Sequence, residues 1–433
     1  MLIQNKTFCI KNLGCRTNIC ETNVIFDQLI KNKAINVKNF NDANICIINS
    51  CCVTNKAEQK TYLFINQAIR SSKCELIAVI GCLPQIGKLK LVHHKIGIVI
   101  GNKHKTSLIS YIKKYQSKQI YNVEKFNKSD EFEKFGNFHH GSTTRAFIKI
   151  QEGCNFMCSY CIIPFARGRQ HSLSHVNVLK LINLFVKNGF QEIVLVGVNT
   201  AGYKEGTKYF FIDLLKDINK MPGNFRIRIS SLEPFQMNKA IVDLITSNHQ
   251  RWCQHFHICL QSGADITIKN MQRKYTIQKF FKLCKYIRFK NPLASITTDC
   301  IVGFPTETSK DFNESYWNIK KINFADIHIF PYSSRPFTAA SKLKSIVKDI
   351  DKKQRFIKLD KLKNDMKIQY LKKFINKKVH VLFEKSTDNN LQTGHSEYFF
   401  KLNVMTSKNL ANKLLIVKIK KIIYDKVFGE LSK

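Results

Sequence analysis

Short apolar runs alternate with helix-length amphipathic stretches through the first part of the chain. Thr7–Ile10, Ile45–Ile48 and Leu76–Ile80 read as buried strands, while a stretch from about Glu21 and another over Ala57–Arg70 carry apolar residues at helical spacing. Strand, helix, strand at that rhythm predicts a parallel α/β sheet, because parallel neighbours need a crossover connection. Between about Tyr115 and Thr144 the periodicity fades into polar residues such as Lys118-Gln119 and Lys128-Ser129-Asp130-Glu131, the pattern of a linker. A second series begins near Arg145, with strands predicted at Ala146–Ile150, Glu192–Val196, Arg226–Ile229, His255–Leu260, Ser295–Cys300 and Asp326–Phe330. Helix-sized intervals separate them, and six such strands fit a partial (β/α)6 barrel with its functional loops at the strands' C-terminal ends. After a lysine-rich helical stretch, roughly Val347–Lys373, the runs Val379–Glu384, His395–Val404 and Leu414–Ile423 read as antiparallel strands of a small β-barrel. The predicted class is α/β: an N-terminal parallel domain over 1–115, a linker over 116–144, the barrel over 145–370 and a small β-barrel over 371–433.

Composition narrows the setting. The 433 residues exceed what one core organises, so about two or three domains are expected. The longest apolar runs, such as Ile193–Val198, fall far short of the roughly 20 residues a bilayer span needs. Met1-Leu2-Ile3-Gln4-Asn5-Lys6 has no feature of a secretory signal, so a cytoplasmic monomer without a membrane partner is expected. Fifteen cysteines in that setting argue against a disulfide framework and leave metal or cluster ligation for those that group together. The net charge of +39 fits a polyanion, nucleic acid above all. Most of that charge is lysine beside abundant Asn and Ile, which nucleotide bias also produces, so it supports an RNA partner without establishing one.

One cysteine group is compact. Glu152-Gly153-Cys154-Asn155-Phe156-Met157-Cys158-Ser159-Tyr160-Cys161 follows the first barrel strand and puts three thiolates in one loop. Three thiolates hold three irons of a four-iron cluster and leave the fourth open to another ligand. A structural zinc site would need four closed ligands, and no second C-x-x-C pair follows. Elsewhere Cys15, Cys51 and Cys82 each come just past a predicted strand, in Gly14-Cys15-Arg16-Thr17-Asn18, Asn49-Ser50-Cys51-Cys52-Val53-Thr54 and Gly81-Cys82-Leu83-Pro84-Gln85. Strand ends of one parallel sheet lie side by side, so these three can form a second site. Spacing alone leaves small buried cysteines as an equal reading, and Cys52 competes with Cys51. Cys9, Cys20, Cys46, Cys74, Cys253, Cys259, Cys284 and Cys300 fall on strands or helices and read as packing.

The C-x-x-x-C-x-x-C spacing with Tyr160 before its last cysteine resembles the radical S-adenosylmethionine superfamily. The three N-terminal segments resemble the methylthiotransferase family within it, whose middle segment reads Asn-Thr-Cys-Ala-Val-Thr, so that Cys51 takes the ligand position and Cys52 the alanine position. The resemblance implies a 4Fe-4S cluster on Cys154, Cys158 and Cys161 that makes a 5′-deoxyadenosyl radical from S-adenosyl-L-methionine, and an auxiliary, sulfur-bearing 4Fe-4S cluster on Cys15, Cys51 and Cys82. Tyr160 and the strand-end residues Gly197, Asn199, Ser231, Glu233, Gln261 and Asp299 are the implied S-adenosylmethionine contacts, although ordinary strand-end capping explains any one of the latter as well. Thr298–Thr308 resembles the family's Asp-x-Ile-Val-Gly-Phe-Pro-Gly-Glu-Thr with Thr306 in place of glycine, a strained choice if φ is positive there.

Within the family, Cys161-Ile162-Ile163-Pro164-Phe165-Ala166-Arg167-Gly168-Arg169 and Gly14–Asn18 with Glu21 most resemble the branch acting at C2 of N6-threonylcarbamoyladenosine, position 37 of tRNA. The isopentenyladenosine branch has Thr-Arg-Gly and Gly-Cys-Gln in these places. That substrate and a ribosomal-protein aspartate are the alternatives, and a non-catalytic iron–sulfur or zinc protein that binds RNA is a remoter one. Gly394–Tyr398 resembles a degenerate TRAM domain, a small RNA-binding barrel, which implies the tRNA anticodon loop as partner. Arg167, Arg169 and Tyr398 are then candidate RNA or substrate contacts, with Phe399 and Phe400 beside them, unless those aromatics fill the barrel's own core. The chemistry rests on the clusters rather than on a catalytic side chain, and an electron donor and a sulfur donor are required partners.

Overall fold

The computed structural model describes residues 2–87, 93–127, 132–133, 143–386 and 390–432. The chain divides into two compact units. One comprises Met1–Ser142, Gln151–Leu173 and Ser333–Ser341; the other comprises Thr143–Ile150, Ser174–Tyr332 and Lys342–Lys433. The loop with Cys154, Cys158 and Cys161 therefore belongs to the unit of the N-terminal sheet, across the boundary that the sequence pattern set near Arg145.

The first unit is built on a parallel sheet of six strands, in the order Ile35–Asn36, Thr7–Asn12, Ile45–Ser50, Leu76–Gly81, Ile96–Ile100, Ile120–Asn122. Every residue of Ile45–Ser50 and Leu76–Gly81 is buried, as a parallel sheet covered on both faces requires. Alternate residues feed two cores: Ile47, Ala78 and Ile80 join Phe8 and Ile98 on one face, while Cys46, Ile48, Ile77 and Val79 join Ile65 and Ala68 on the other. Helix Asn55–Arg70 starts where the Thr54 hydroxyl accepts from the Ala57 amide at 3.2 Å. Ile120–Asn122 falls in the stretch read as a linker, of which residues 128–131 and 134–142 lie outside the described residues.

In the second unit Ala146–Lys149, Glu192–Val196 and Arg226–Ile229 form one parallel sheet, and His255–His257, Ser295–Val302 and Asp326–Pro331 form another. Single bridges Ile227–Trp252 and Leu232–Ile258 join them, so six strands curve as a partial barrel. Thr306 is not among the positive-φ residues; Gly303 supplies that conformation instead, with φ 74°. The β-branched residue is thus unstrained, and its hydroxyl accepts from the Asn270 amide at 2.9 Å. Beyond helix Asp349–Lys372, five strands close a barrel. The run His395–Val404, read as one strand, is two: Leu391–Ser396 and Lys401–Met405 reverse through a turn in which Phe399 takes φ 74°. The Glu192 carboxylate binds both Arg226 and Arg228, and these guanidinium groups donate onward to the carbonyls of His395 and Ser396 at 2.9 Å each. Two arginines thereby fasten the small barrel to the larger one. Among the described residues, no helix is long and apolar enough to cross a membrane.

Candidate iron–sulfur sites

Cys154, Cys158 and Cys161 are half-buried on one closed loop. Gly153 enters it at φ 65°, where a Cβ would collide with the Arg169 carbonyl, so only glycine lets the two ends of the loop meet. The Cys154 amide donates to the Gly168 carbonyl at 3.1 Å, and the Cys161 amide to the Cys158 carbonyl at 2.9 Å. From Ser333–Ser341 the Ala340 amide donates to the Ser159 carbonyl at 2.7 Å and steadies the turn before Tyr160, itself half-buried. Three partly exposed thiols on a pinned loop match the donor set of a cluster with one open iron.

The second trio converges at the C-terminal edge of the N-terminal sheet. Cys15 is exposed just before helix Arg16–Lys31; Cys51 and Cys82 are buried directly after the two central strands. Gly14, at φ 99°, leaves room for Cys51: a Cβ there would stand 2.9 Å from the Cys51 sulfur. Burial raises the Cys51 thiol, and neighbouring Cys82 and Cys15 add to the rise. Cys82 is held low, first by a hydrogen bond with Cys52, then by Arg167, Lys105 and the Asn102 amide, which outweigh its burial. Asn102 Nδ2 donates to Cys82 Sγ at 3.3 Å. A low-lying thiol close to two others suits metal ligation, where thiolate is the binding form. Cys52 is buried like Cys51 and Cys82 and hydrogen-bonds Cys82.

Arg167 corrects the sequence reading. It does not face RNA: its side chain is 1% exposed and donates to Glu21 Oε1 at 3.0 Å, to Glu152 Oε1 at 2.6 Å and to Asn18 Oδ1. Lys105, also buried, reaches the other oxygen of Glu21 at 2.5 Å. Burying a guanidinium is tolerable only with such partners. Glu152, Lys105 and Asn102 carried no signal along the chain, because what defines them is the company they keep after folding. Arg169 is exposed.

In the second unit the predicted cofactor residues are spread over strand ends. Gly197 and Asn199 are buried after Glu192–Val196, and Ser231 is half-buried after Arg226–Ile229. Glu233 pairs with Arg273 at 2.7 Å, and burial raises its carboxyl despite that partner. Gln261 takes φ 67° and pairs its backbone with Asp299 and Ile301 at 2.8 Å. Asp299 faces two histidines missed in the sequence, His257 at 3.3 Å and His328 at 3.2 Å. Burial pushes its carboxyl up, but the hydrogen bonds to His257 and His328 win and hold it well below the usual carboxylate range. The three donor atoms lie within 4.8 Å of one another, compact enough for a divalent cation or for the polar end of a ligand.

Tyr398 is a second correction. Its ring lies 4.8 Å from Phe374 inside the core of the small barrel, and Phe400 packs on the same ring at 4.9 Å. Both lie in the connection between Leu391–Ser396 and Lys401–Met405, which folds their rings against the barrel's core. Phe399 stacks on His255 at 4.6 Å with the Arg228 guanidinium 5.0 Å from its ring.

Residues 148–316 match the Radical SAM superfamily, and residues 7–101 match Uncharacterized protein family UPF0004. The fold is similar to that of the radical S-adenosylmethionine methyltransferase TsrM from Kitasatospora setae, with TM-score 0.56 at 11% identity over 78% of this chain and 77% of that one. These likenesses define a radical S-adenosylmethionine fold. The threonylcarbamoyladenosine tRNA methylthiotransferase MtaB of Bacillus subtilis is 33% identical over 387 residues, 87% of this chain and 86% of that protein. Its namesake in Thermotoga maritima is 34% identical, covering 82% and 81%. The tRNA-2-methylthio-N(6)-dimethylallyladenosine synthase of Clostridium tetani is 31% identical, covering 99% and 96%. The chain belongs to the radical S-adenosylmethionine tRNA methylthiotransferases, in their threonylcarbamoyladenosine branch.

Proposed function

We propose that this enzyme replaces the C2 hydrogen of N6-threonylcarbamoyladenosine, at position 37 of tRNA, with a methylthio group. The observation that carries the reading is that two separate thiol trios lie in one compact unit, one on a pinned loop and one at the edge of a parallel sheet. One trio serves radical chemistry; a second equips the same protein to deliver sulfur. Two 4Fe-4S clusters and S-adenosyl-L-methionine supply, when bound, the one-electron chemistry that an unactivated aromatic C–H bond requires.

The chain's own residues hold and orient. Cys154, Cys158 and Cys161 hold the radical cluster, and Cys15, Cys51 and Cys82 the auxiliary one. Tyr160 and the strand-end residues Gly197, Asn199, Ser231, Glu233, Gln261 and Asp299 orient S-adenosylmethionine. Arg169, exposed beside the cysteine loop, contacts tRNA phosphate or the substrate's carboxylate. Adenosine 37 is unpaired in the anticodon loop, so turning it out of its stack costs about a few kcal/mol, less than from a duplex. The work takes place in the cytoplasm, by a monomer, with separate electron and sulfur donors.

Mass spectrometry of tRNA nucleosides from a strain lacking the gene tests the reading. Loss of 2-methylthio-N6-threonylcarbamoyladenosine, restored by the wild-type gene, is the expected result. Loss of the dimethylallyl derivative instead would move the enzyme to the other tRNA branch, and an unchanged nucleoside profile would sink the proposal.

A further inference from the structure

Arg167 ends the short helix Ile163–Arg167 that follows Cys161, and its guanidinium joins Glu152, before Cys154, to Glu21 and Asn18, which follow Cys15. Glu21 and Asn18, which accept from it, lie on helix Arg16–Lys31 just after Cys15. The same short helix touches the Cys82 ligand position by a second route: Asn102 Nδ2 donates to both Cys82 Sγ at 3.3 Å and the Ala166 carbonyl at 2.5 Å. Around this point Arg167 and Lys105 oppose Glu21 and Glu152, and none of the four is more than 8% exposed. The two cations and two carboxylates cancel before any thiolate is counted, so removing the guanidinium leaves excess negative charge in a place water does not reach.

We propose that Arg167 is a positioning residue for the auxiliary site: its buried guanidinium, delivered by the segment that closes the radical-cluster loop, sets the electrostatics around Cys15, Cys51 and Cys82 and hence the reduction potential of the cluster they hold. The inference rests on the auxiliary-cluster reading above. Reduction adds an electron to a site already rich in negative charge, so a nearby fixed cation makes it easier and loss of that cation makes it harder. A residue that merely clasped the loop would affect iron retention and leave the potential alone.

The test is an EPR-monitored redox titration of the reconstituted full-length protein, resolving both clusters, in the wild type, Arg167→Gln and Arg167→Lys. The wild type should carry about eight irons. In Arg167→Gln the auxiliary signal should titrate at a more negative potential while the radical-cluster signal stays in place, and Arg167→Lys, which keeps the charge, should restore most of the shift. Lys105→Met provides the same measurement if Arg167→Gln does not fold, and its auxiliary signal should move in the same direction. Wild-type potentials in the charge-removing variants, equal movement of both signals, or identical behaviour of Arg167→Lys and Arg167→Gln would overturn this inference alone. About four irons in the wild type, with none held by Cys15, Cys51 and Cys82, would overturn the auxiliary-cluster reading and this inference with it.

Discussion

Glu152 and Arg167 form a 2.6 Å ion pair across the base of the loop that carries Cys154, Cys158 and Cys161. Glu152 stands two residues before Cys154 and Arg167 six after Cys161, so the pair spans a loop that the Cys154 amide already closes on the Gly168 carbonyl. Burial of both side chains shields the pair from solvent and salt, unlike an exposed bridge of marginal value.

Cys51 and Cys52 should separate cleanly. Cys51→Ala removes a ligand and should lower iron from about eight to about four per chain. Cys52→Ala removes only a hydrogen bond to Cys82 and should keep about eight. Anaerobic iron and sulfide analysis decides; the reverse ranking would exchange their roles.

Gly153→Ala should cost about 1–3 kcal/mol, because φ of 65° and the Arg169 carbonyl both exclude a Cβ. The strain falls on the loop, so the radical cluster should be lost first. Retention of full iron and wild-type production of 5′-deoxyadenosine would show that the loop tolerates opening.

Glu192 gives a pH signature. Burial alone would raise its carboxyl, but Arg228 and Arg226 hold it well below the usual range of about 4.3. A carboxyl depressed in the folded state contributes its full stability above that range, and the contribution is lost progressively as pH falls from about 5 toward the folded value. Glu192→Gln should cost roughly 3–5 kcal/mol at neutral pH and flatten the acid limb of the stability curve. Denaturant unfolding across pH measures both; a variant as acid-sensitive as the wild type would remove Glu192 from the account.

Tyr398 and Arg169 should behave oppositely. Tyr398→Ala should destabilise the small barrel by about 3–5 kcal/mol, as other large-to-small core changes do. Arg169→Glu should leave thermal stability within about 0.5 kcal/mol and weaken tRNA binding with a shallower salt dependence. Calorimetry and salt-dependent binding together check the pair; weaker binding by folded Tyr398→Ala with no loss of stability would return Tyr398 to the RNA face.

Most of the elements and the grouping of the cysteines follow from local pattern along the chain. Ile45–Ile48, Glu192–Val196 and Arg226–Ile229 were legible because apolar periodicity is local, and Cys154, Cys158 and Cys161 because their ligand spacing lies within one loop. The sequence by itself could not place Arg167, which looks like a loop cation and is a buried counter-charge, or Tyr398, whose burial depends on strands that reverse at Phe399. Nor could it find the His257–Asp299–His328 group, whose members come from three different strands. Tertiary structure decided these because the energy of a charge or a ring depends on what surrounds it, and here the surroundings come from residues far away along the chain: Glu21 lies 146 positions from Arg167.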